Sequence, residues 1–260
     1  MSKTLKLSSS ERVLDDLVYE FLTWLPVKSL IRFSFALGLG YHSQNNDFKI
    51  LRIVCYNRIG GEEVLRAEAK VYTLSTDSWK RVVISLDSVP NIGLIVELKG
   101  SRCLFLNGAL HSIAYSRHYH FILSFDLNDE RFREIMLPPN YKGNLVVVDE
   151  SLVLFKRCLA FVVFGYDADE HADERCYARH IWVMKEYGVA ESWTKIIVPR
   201  EDELACFLGC TYDGELLIEK YSDSWIVSFD PESLNKKILR IPPPVGMIYT
   251  ANFVESLALL

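Results

Sequence analysis

Three histidines are the first candidates for chemistry. His118 and His120 stand two apart, which puts both on one side of a strand, and His111 falls on the neighbouring strand. Zinc takes such imidazoles, but a zinc site needs a further cysteine or carboxylate at ligand spacing, and none is present. A polar hairpin tip explains residues 118 to 120 equally well, so we assign no metal. The second concentration is acidic: Asp167, Asp169, Glu170, Asp173 and Glu174, around His171. It lacks the glycine and terminal glutamate of a calcium loop. A solvated loop is the default, and a docking patch for a basic target is the alternative, since loops on a rigid scaffold carry recognition. Cys55, Cys103, Cys158, Cys176, Cys206 and Cys210 form no Cys-x-x-Cys pair and read as reduced thiols of the cytosol or nucleus.

Covalent catalysis finds no support. The sequence has no Gly-x-Ser-x-Gly, no phosphate-cradling glycine loop, no His-Glu-x-x-His and no cysteine–histidine pair at a helix start. Gly38-x-Gly40 precedes a strand rather than a helix. No catalytic residue and no cofactor are assigned. The net charge of -5 is mild and shows no basic stripe, which speaks against nucleic acid. The most apolar stretch, Leu145 to Phe164, is broken by Asp149, Glu150, Lys156 and Arg157, which speaks against a membrane span. Met1 to Ser10 is polar with two lysines and reads as no secretory signal. With half its 260 residues apolar, the chain can bury one large core or two modest ones.

Two periods divide the chain. Residues 8–33 read as helix: Ser8 and Glu11 have capping-box spacing, and Glu11, Asp15 and Asp16 fall where the helix dipole favours acids. Leu14, Leu17, Val18, Phe21, Leu22 and Leu25 step by 3, 1, 3, 1 and 3 into one stripe, which Pro26 stops. A second apolar turn holds Val27, Leu30, Ile31 and Phe33. So short a segment cannot cover its own stripe, which needs a partner surface.

From about Phe48 the period becomes 2, with turn chemistry every 8 to 12 residues. Strands are predicted at 49–56, 69–74, 81–86, 122–127, 145–148, 159–166, 181–185, 194–198, 215–221 and 225–230. Sandwich, barrel and propeller all fit that pattern. Four similar segments favour the propeller: residues 71–85, 122–138, 181–199 and 226–244 each hold a strand, a polar turn, an anchor and a second strand. Their starts lie 51, 59 and 45 residues apart, close to the kelch period. Asn107-Gly108 and Asp213-Gly214 are hairpin signals ahead of two of them. Trp79, Phe132 and Trp193 take equivalent places in three repeats and read as anchors of blade cores, as does Trp225 on its strand.

The residues also resemble a known family. DDLVYEFLTWLPVKSLIRF (15–33) is similar to the first half of an F-box. LGLGYHSQNNDFKILRIV, VYTLSTDSW, LNGALHSIAY, SFDLNDERFREIMLP and IWVMKEYGVAESWTK resemble successive motifs of the type 1 F-box-associated domain of plants, found in S-locus F-box proteins. The likeness departs from the family where Arg32-Phe33 runs straight into Ser34 to Tyr41. The third F-box helix and roughly one to two blades of about 40 to 50 residues have no counterpart. The resemblance implies a mainly β fold: an incomplete kelch-like propeller, 34–255, preceded by a partial helical F-box, 8–33.

Further expectations follow from it. Leu17, Val18, Phe21, Leu22, Leu25, Pro26, Val27 and Leu30 would bind an SKP-type adaptor and, through it, a cullin. Propeller loops at 57–63, 115–120, 139–143, 166–179 and 199–203 would hold a target protein, with the five acids as a patch suited to a basic one. The protein would perform no chemistry itself. The rival readings are a propeller that binds a small ligand or glycan, or acts as an enzyme through its channel, and a degraded family member without adaptor binding.

Overall fold

The computed structural model describes residues 33–56, 66–84, 95–116, 119–167, 177–197, 204–211, 213–220 and 225–241. The adaptor stripe, Leu17 to Leu30, lies outside the described residues, as do Asp169, Glu170, Asp173, Glu174 and His118.

The described residues form sixteen strands in four antiparallel blades. Blade 1 holds β1 (Phe33–His42), β2 (Asp47–Tyr56), β3 (Arg66–Thr73) and β4 (Ser78–Val82). Blade 2 holds β5 (Ile95–Leu106), β6 (Ala109–Ser116), β7 (His120–Asp126) and β8 (Arg131–Met136). Blade 3 holds β9 (Leu145–Phe155), β10 (Cys158–Asp167), β11 (Tyr177–Met184) and β12 (Trp193–Ile197). Blade 4 holds β13 (Leu204–Cys210), β14 (Leu216–Lys220), β15 (Ile226–Phe229) and β16 (Lys236–Ile238). The first strand of blade 1 meets the first strand of blade 2 in parallel at Leu37 and Arg102. Among the described residues no strand pairing joins blade 4 back to blade 1. The result is an incomplete kelch-like propeller, curled and nearly all β.

Local chemistry explains the hairpins. Asn107 (φ 51) and Gly108 (φ 76) both take left-handed backbone, the requirement of a tight turn whose twist matches its strands. The four repeated segments are the outer hairpins β3–β4, β7–β8, β11–β12 and β15–β16. Alternation then gives each blade two apolar faces, and three buried seams follow. Leu51, Ile53, Ala69 and Val71 of blade 1 meet Leu110, Phe121, Leu123 and Phe125 of blade 2. Ile113, Ile122 and Ile135 of blade 2 meet Leu159, Phe161 and Val163 of blade 3. Ala160, Val162 and Ile181 of blade 3 meet Leu216, Ile218 and Phe229 of blade 4. Each such side chain contributes roughly 1.5–3 kcal/mol on burial, so the seams supply most of the cohesion between blades.

Four expectations need correction. Gly38 and Gly40 do not precede a strand; they lie inside β1, where an added Cβ on Gly38 would stand 2.8 Å from Cys103 Cβ and one on Gly40 2.5 Å from Leu127 Cδ1. Glycine there lets β1 approach blade 2 closely. Phe33, read as part of a helical turn, opens β1. Trp225 stands just ahead of β15, its carbonyl accepting from the Lys220 N–H. Trp79 is 38% exposed and meets the Tyr72 ring at a tilt, whereas Phe132 and Trp193 are buried in seams. Strand ends also shift: β4 covers Ser78–Val82 in place of 81–86, and β9 runs on to Phe155 in place of stopping at 148.

Candidate target-binding face

Strand direction sorts the loops. Within a blade, successive antiparallel strands send their connections to alternate edges. The parallel meeting of β1 and β5 gives blades 1 and 2 the same orientation. Side chains confirm it for one edge. Lys49, beside the β1–β2 turn, reaches Leu127 O (3.0 Å) and Glu130 (2.8 Å) in the β7–β8 turn. Lys156, in the β9–β10 turn, reaches Glu232 (2.5 Å) in the β15–β16 turn. That edge is laced by contacts between turns of adjacent blades.

The opposite edge carries the strand ends from which 57–63, 115–120, 139–143, 166–179 and 199–203 depart. The described strand ends that flank all five segments named from sequence therefore lie at one edge, an arrangement that sequence could not assign. Asp167 closes β10 at this edge, so the acidic run leaves from here; its other four acids lie outside the described residues.

Between blades 2 and 3 this face holds a pinned polar cluster. Tyr115 donates to Glu150 Oε2 at 2.6 Å, and its ring meets His120 edge-on at 4.1 Å. The Tyr141 hydroxyl lies 3.0 Å from His120 Nδ1, and the Tyr141 carbonyl accepts from His180 Nδ1 at 3.2 Å. Lys99 pairs with Asp149 at 3.2 Å, and Lys142 sits 5.4 Å from the Tyr141 ring centre. Underneath, Tyr141 meets Phe161 edge-on at 5.1 Å, which ties the cluster to the seam. Burial and then the Glu150 carboxylate push the phenols of Tyr115 and Tyr141 upward, so both keep their protons. Burial and the nearby Lys142 hold His120 below its ordinary value, against the pull of Glu150. At neutral pH the face presents neutral rings and hydroxyls between the Lys99–Asp149 pair, whose aspartate is exposed, and Lys142. Among the described residues this cluster offers no activated nucleophile. The buried Cys210 thiol is pushed up to about 12, far from a reactive thiolate.

His111, the third histidine, is fully buried away from this cluster. Its Nδ1–H donates to Leu104 O (3.1 Å), leaving Nε2 to accept from the Tyr187 hydroxyl (2.7 Å). Tyr187 sits in the β11–β12 turn, so the contact spans blades 2 and 3. Burial, opposed by the Leu104 bond, lowers the His111 pKa to about 4. In unfolded chains histidine takes its proton near 6.5, so protons favour unfolding between those values. The expected outcome is full stability above pH 6.5 and a loss of at most about 3 kcal/mol as pH falls towards 4. Urea unfolding at a series of pH values checks it: His111→Gln should flatten that slope, and an unchanged slope would locate it elsewhere.

Four blades of antiparallel strands, packed face to face through three buried seams, define a class: a β-propeller. The chain belongs to the F-box associated beta propeller domain family, which it matches over residues 22–255. It is 28% identical over 250 residues to F-box protein CPR1 of Arabidopsis thaliana, covering 89% of this chain and 58% of that protein. F-box protein At3g07870 of the same plant is 34% identical over 181 residues, covering 62% and 39%. The chain thus spans about half the length of the curated relatives it matches. Among solved structures, a family 117 glycoside hydrolase from Zobellia galactanivorans aligns with a TM-score of 0.45 at 10% identity, over 80% of this chain and 69% of that one.

Proposed function

We propose that this chain is a target-recognition subunit of an SKP–cullin–F-box ubiquitin ligase. The stripe of Leu17, Val18, Phe21, Leu22 and Leu25, with Pro26, Val27 and Leu30, binds the SKP-type adaptor. The loop face holds a protein target, and ubiquitin is delivered by proximity, with no chemistry performed here. The observation that carries this reading is the single edge at which the strands flanking five candidate loops end, in a propeller whose family is named for the F-box. Side-chain chemistry agrees: aromatic rings and hydroxyls held in fixed places bind protein surfaces at low entropic cost. The acidic run from Asp167 to Glu174 leaves from that face and would suit a basic target in the cytosol or nucleus.

Adaptor binding is apolar burial. The five side chains of the stripe alone, at about 1.5–3 kcal/mol each, give a gross term of order 10 kcal/mol before association costs. Leu25→Asp puts a charge into that contact. The expected result is at least tenfold lower recovery of an SKP-type adaptor in a pull-down than with the unmodified chain. Equal recovery from both would remove the assignment.

A further inference from the structure

Blade 1 has a second face, turned away from blade 2. Its rows can be read from the register. Leu39 pairs with Ile50, Ile50 with Tyr72, and Tyr72 with Trp79, giving one apolar row across four strands. Beside it run Leu37, Arg52, Lys70 and Arg81, then Val54 opposite Glu68. Leu37, Ile50 and Val54 are buried, yet none belongs to any of the three seams. Leu39 and Trp79 at the ends of the apolar row remain 40% and 38% exposed. Phe132 and Trp193, the equivalents of Trp79, each point towards the preceding blade and are buried against it. Trp79 points the same way, and among the described residues no blade precedes blade 1. This face is built as half of a seam.

We propose that its other half is the chain's own segment 14–25, whose apolar stripe covers blade 1 where a neighbouring blade would pack. Three features select this occupant. The segment runs directly into β1, the strand that carries Leu37 and Leu39, and Leu25 is only eight residues from Phe33, an extended reach of about 26 Å. A helix over residues 14–25, as its spacing predicts, would be about 16 Å long. The four-strand row spans about 14 Å, so the lengths match. Charges are complementary as well: beside the Arg81–Glu68 pair the face carries Arg52 and Lys70, while Asp15, Asp16 and Glu20 accompany the stripe.

The consequence rests on the adaptor reading given above: one ridge then serves two surfaces, and the adaptor must lift it from blade 1 to bind. Unengaged chains would keep the ridge covered and be protected from aggregation. The test uses the full chain with p-benzoylphenylalanine in place of Phe21, irradiated at low concentration, digested and mapped by mass spectrometry. Intramolecular crosslinks to peptides holding Leu39, Ile50, Tyr72 or Trp79 are expected. Crosslinks confined to blade 4, to residues beyond 241 or to a second copy would overturn the proposal, as would no crosslink at all. A second arm adds excess SKP-type adaptor. A tenfold fall in the blade 1 crosslink is expected; adaptor bound with the crosslink intact would refute the shared ridge. Crosslinking to blade 1 with no adaptor binding would instead sink the adaptor reading and leave the docking in place.

Discussion

Phe161→Ala should cost the fold about 3–5 kcal/mol, the range for emptying a fully buried phenylalanine site. Phe161 lies on β10 with no exposed surface, in the seam between blades 2 and 3. Both flanking blades are four-stranded sheets pinned by their own ladders, so neither can collapse fully into the space left behind. The transfer term and the cavity term therefore add. Denaturant unfolding is the measurement, with a lower midpoint at unchanged slope as the expected form. A loss below about 1 kcal/mol would mean that the seam closes over the gap and is not packed as described. Phe105→Ala is the comparison: Phe105 is 38% exposed, so its loss should be clearly smaller. The effect also reaches the loop edge. The Tyr141 ring rests on Phe161, and Tyr141 in turn orients towards His120 and His180. Emptying the seam loosens the loop face from below.

That coupling marks the division between what sequence discloses and what it conceals. The outer hairpins were legible because their physics is local. Phe125 and Phe132 pair across a polar turn of Asp126 to Glu130, and Asn107-Gly108 takes the backbone its neighbours demand. The inner strands were poorly legible. β9 carries Asp149 and Glu150 in mid-strand, which reads as a break, yet Glu150 is buried where it accepts from Tyr115. β1 carries two glycines, which read as a loop, although glycine within an apolar run is also the signal of close backbone approach. Trp79 was misread for a third reason. Its repeat position is that of a seam anchor, but a seam needs two blades, and the sequence of one repeat cannot show whether its neighbour exists.

The candidate site follows the same rule. The five segments were read as connections, but the edge at which their flanking strands end depends on strand direction, which is set by long-range pairing. Tyr141 and Glu150 went unnoticed because a tyrosine and a glutamate in a β region carry no motif. Only their convergence with Tyr115 and His120, from three strands and the β8–β9 connection, makes them a unit.

Long-range electrostatics provide the second large prediction. Lys49 is a β2 residue only 5% exposed, and its ammonium is satisfied by Leu127 O and Glu130, both from blade 2. Lys80 of β4 reaches the other oxygen of Glu130 at 2.6 Å, so one carboxylate staples two strands of blade 1 to blade 2. Glu130→Ala leaves the Lys49 charge buried with a single carbonyl, and breaking such a pair costs about 3–5 kcal/mol. Glu130 sits at φ 54, and alanine suffers there much as glutamate does, so the loss reports the carboxylate rather than the backbone. Lys49→Met in the Glu130→Ala background removes the orphaned charge and should recover most of the loss; if the double variant is no more stable than Glu130→Ala, the buried charge is not the cause. The pH dependence has a defined sign. Burial alone would raise the Glu130 pKa, but the bonds and charges of Lys49 and Lys80 outweigh it and hold the group below its ordinary 4.5. The unfolded chain therefore binds this proton first as pH falls, and the contribution is complete above about 4.5 and lost as pH drops through the lower folded value. Acid thus opens the seam between blades 1 and 2 at a carboxylate on the turn edge, opposite the loop face. The seam between blades 2 and 3 weakens earlier, because the stability lost to His111 protonation accrues between about 6.5 and 4.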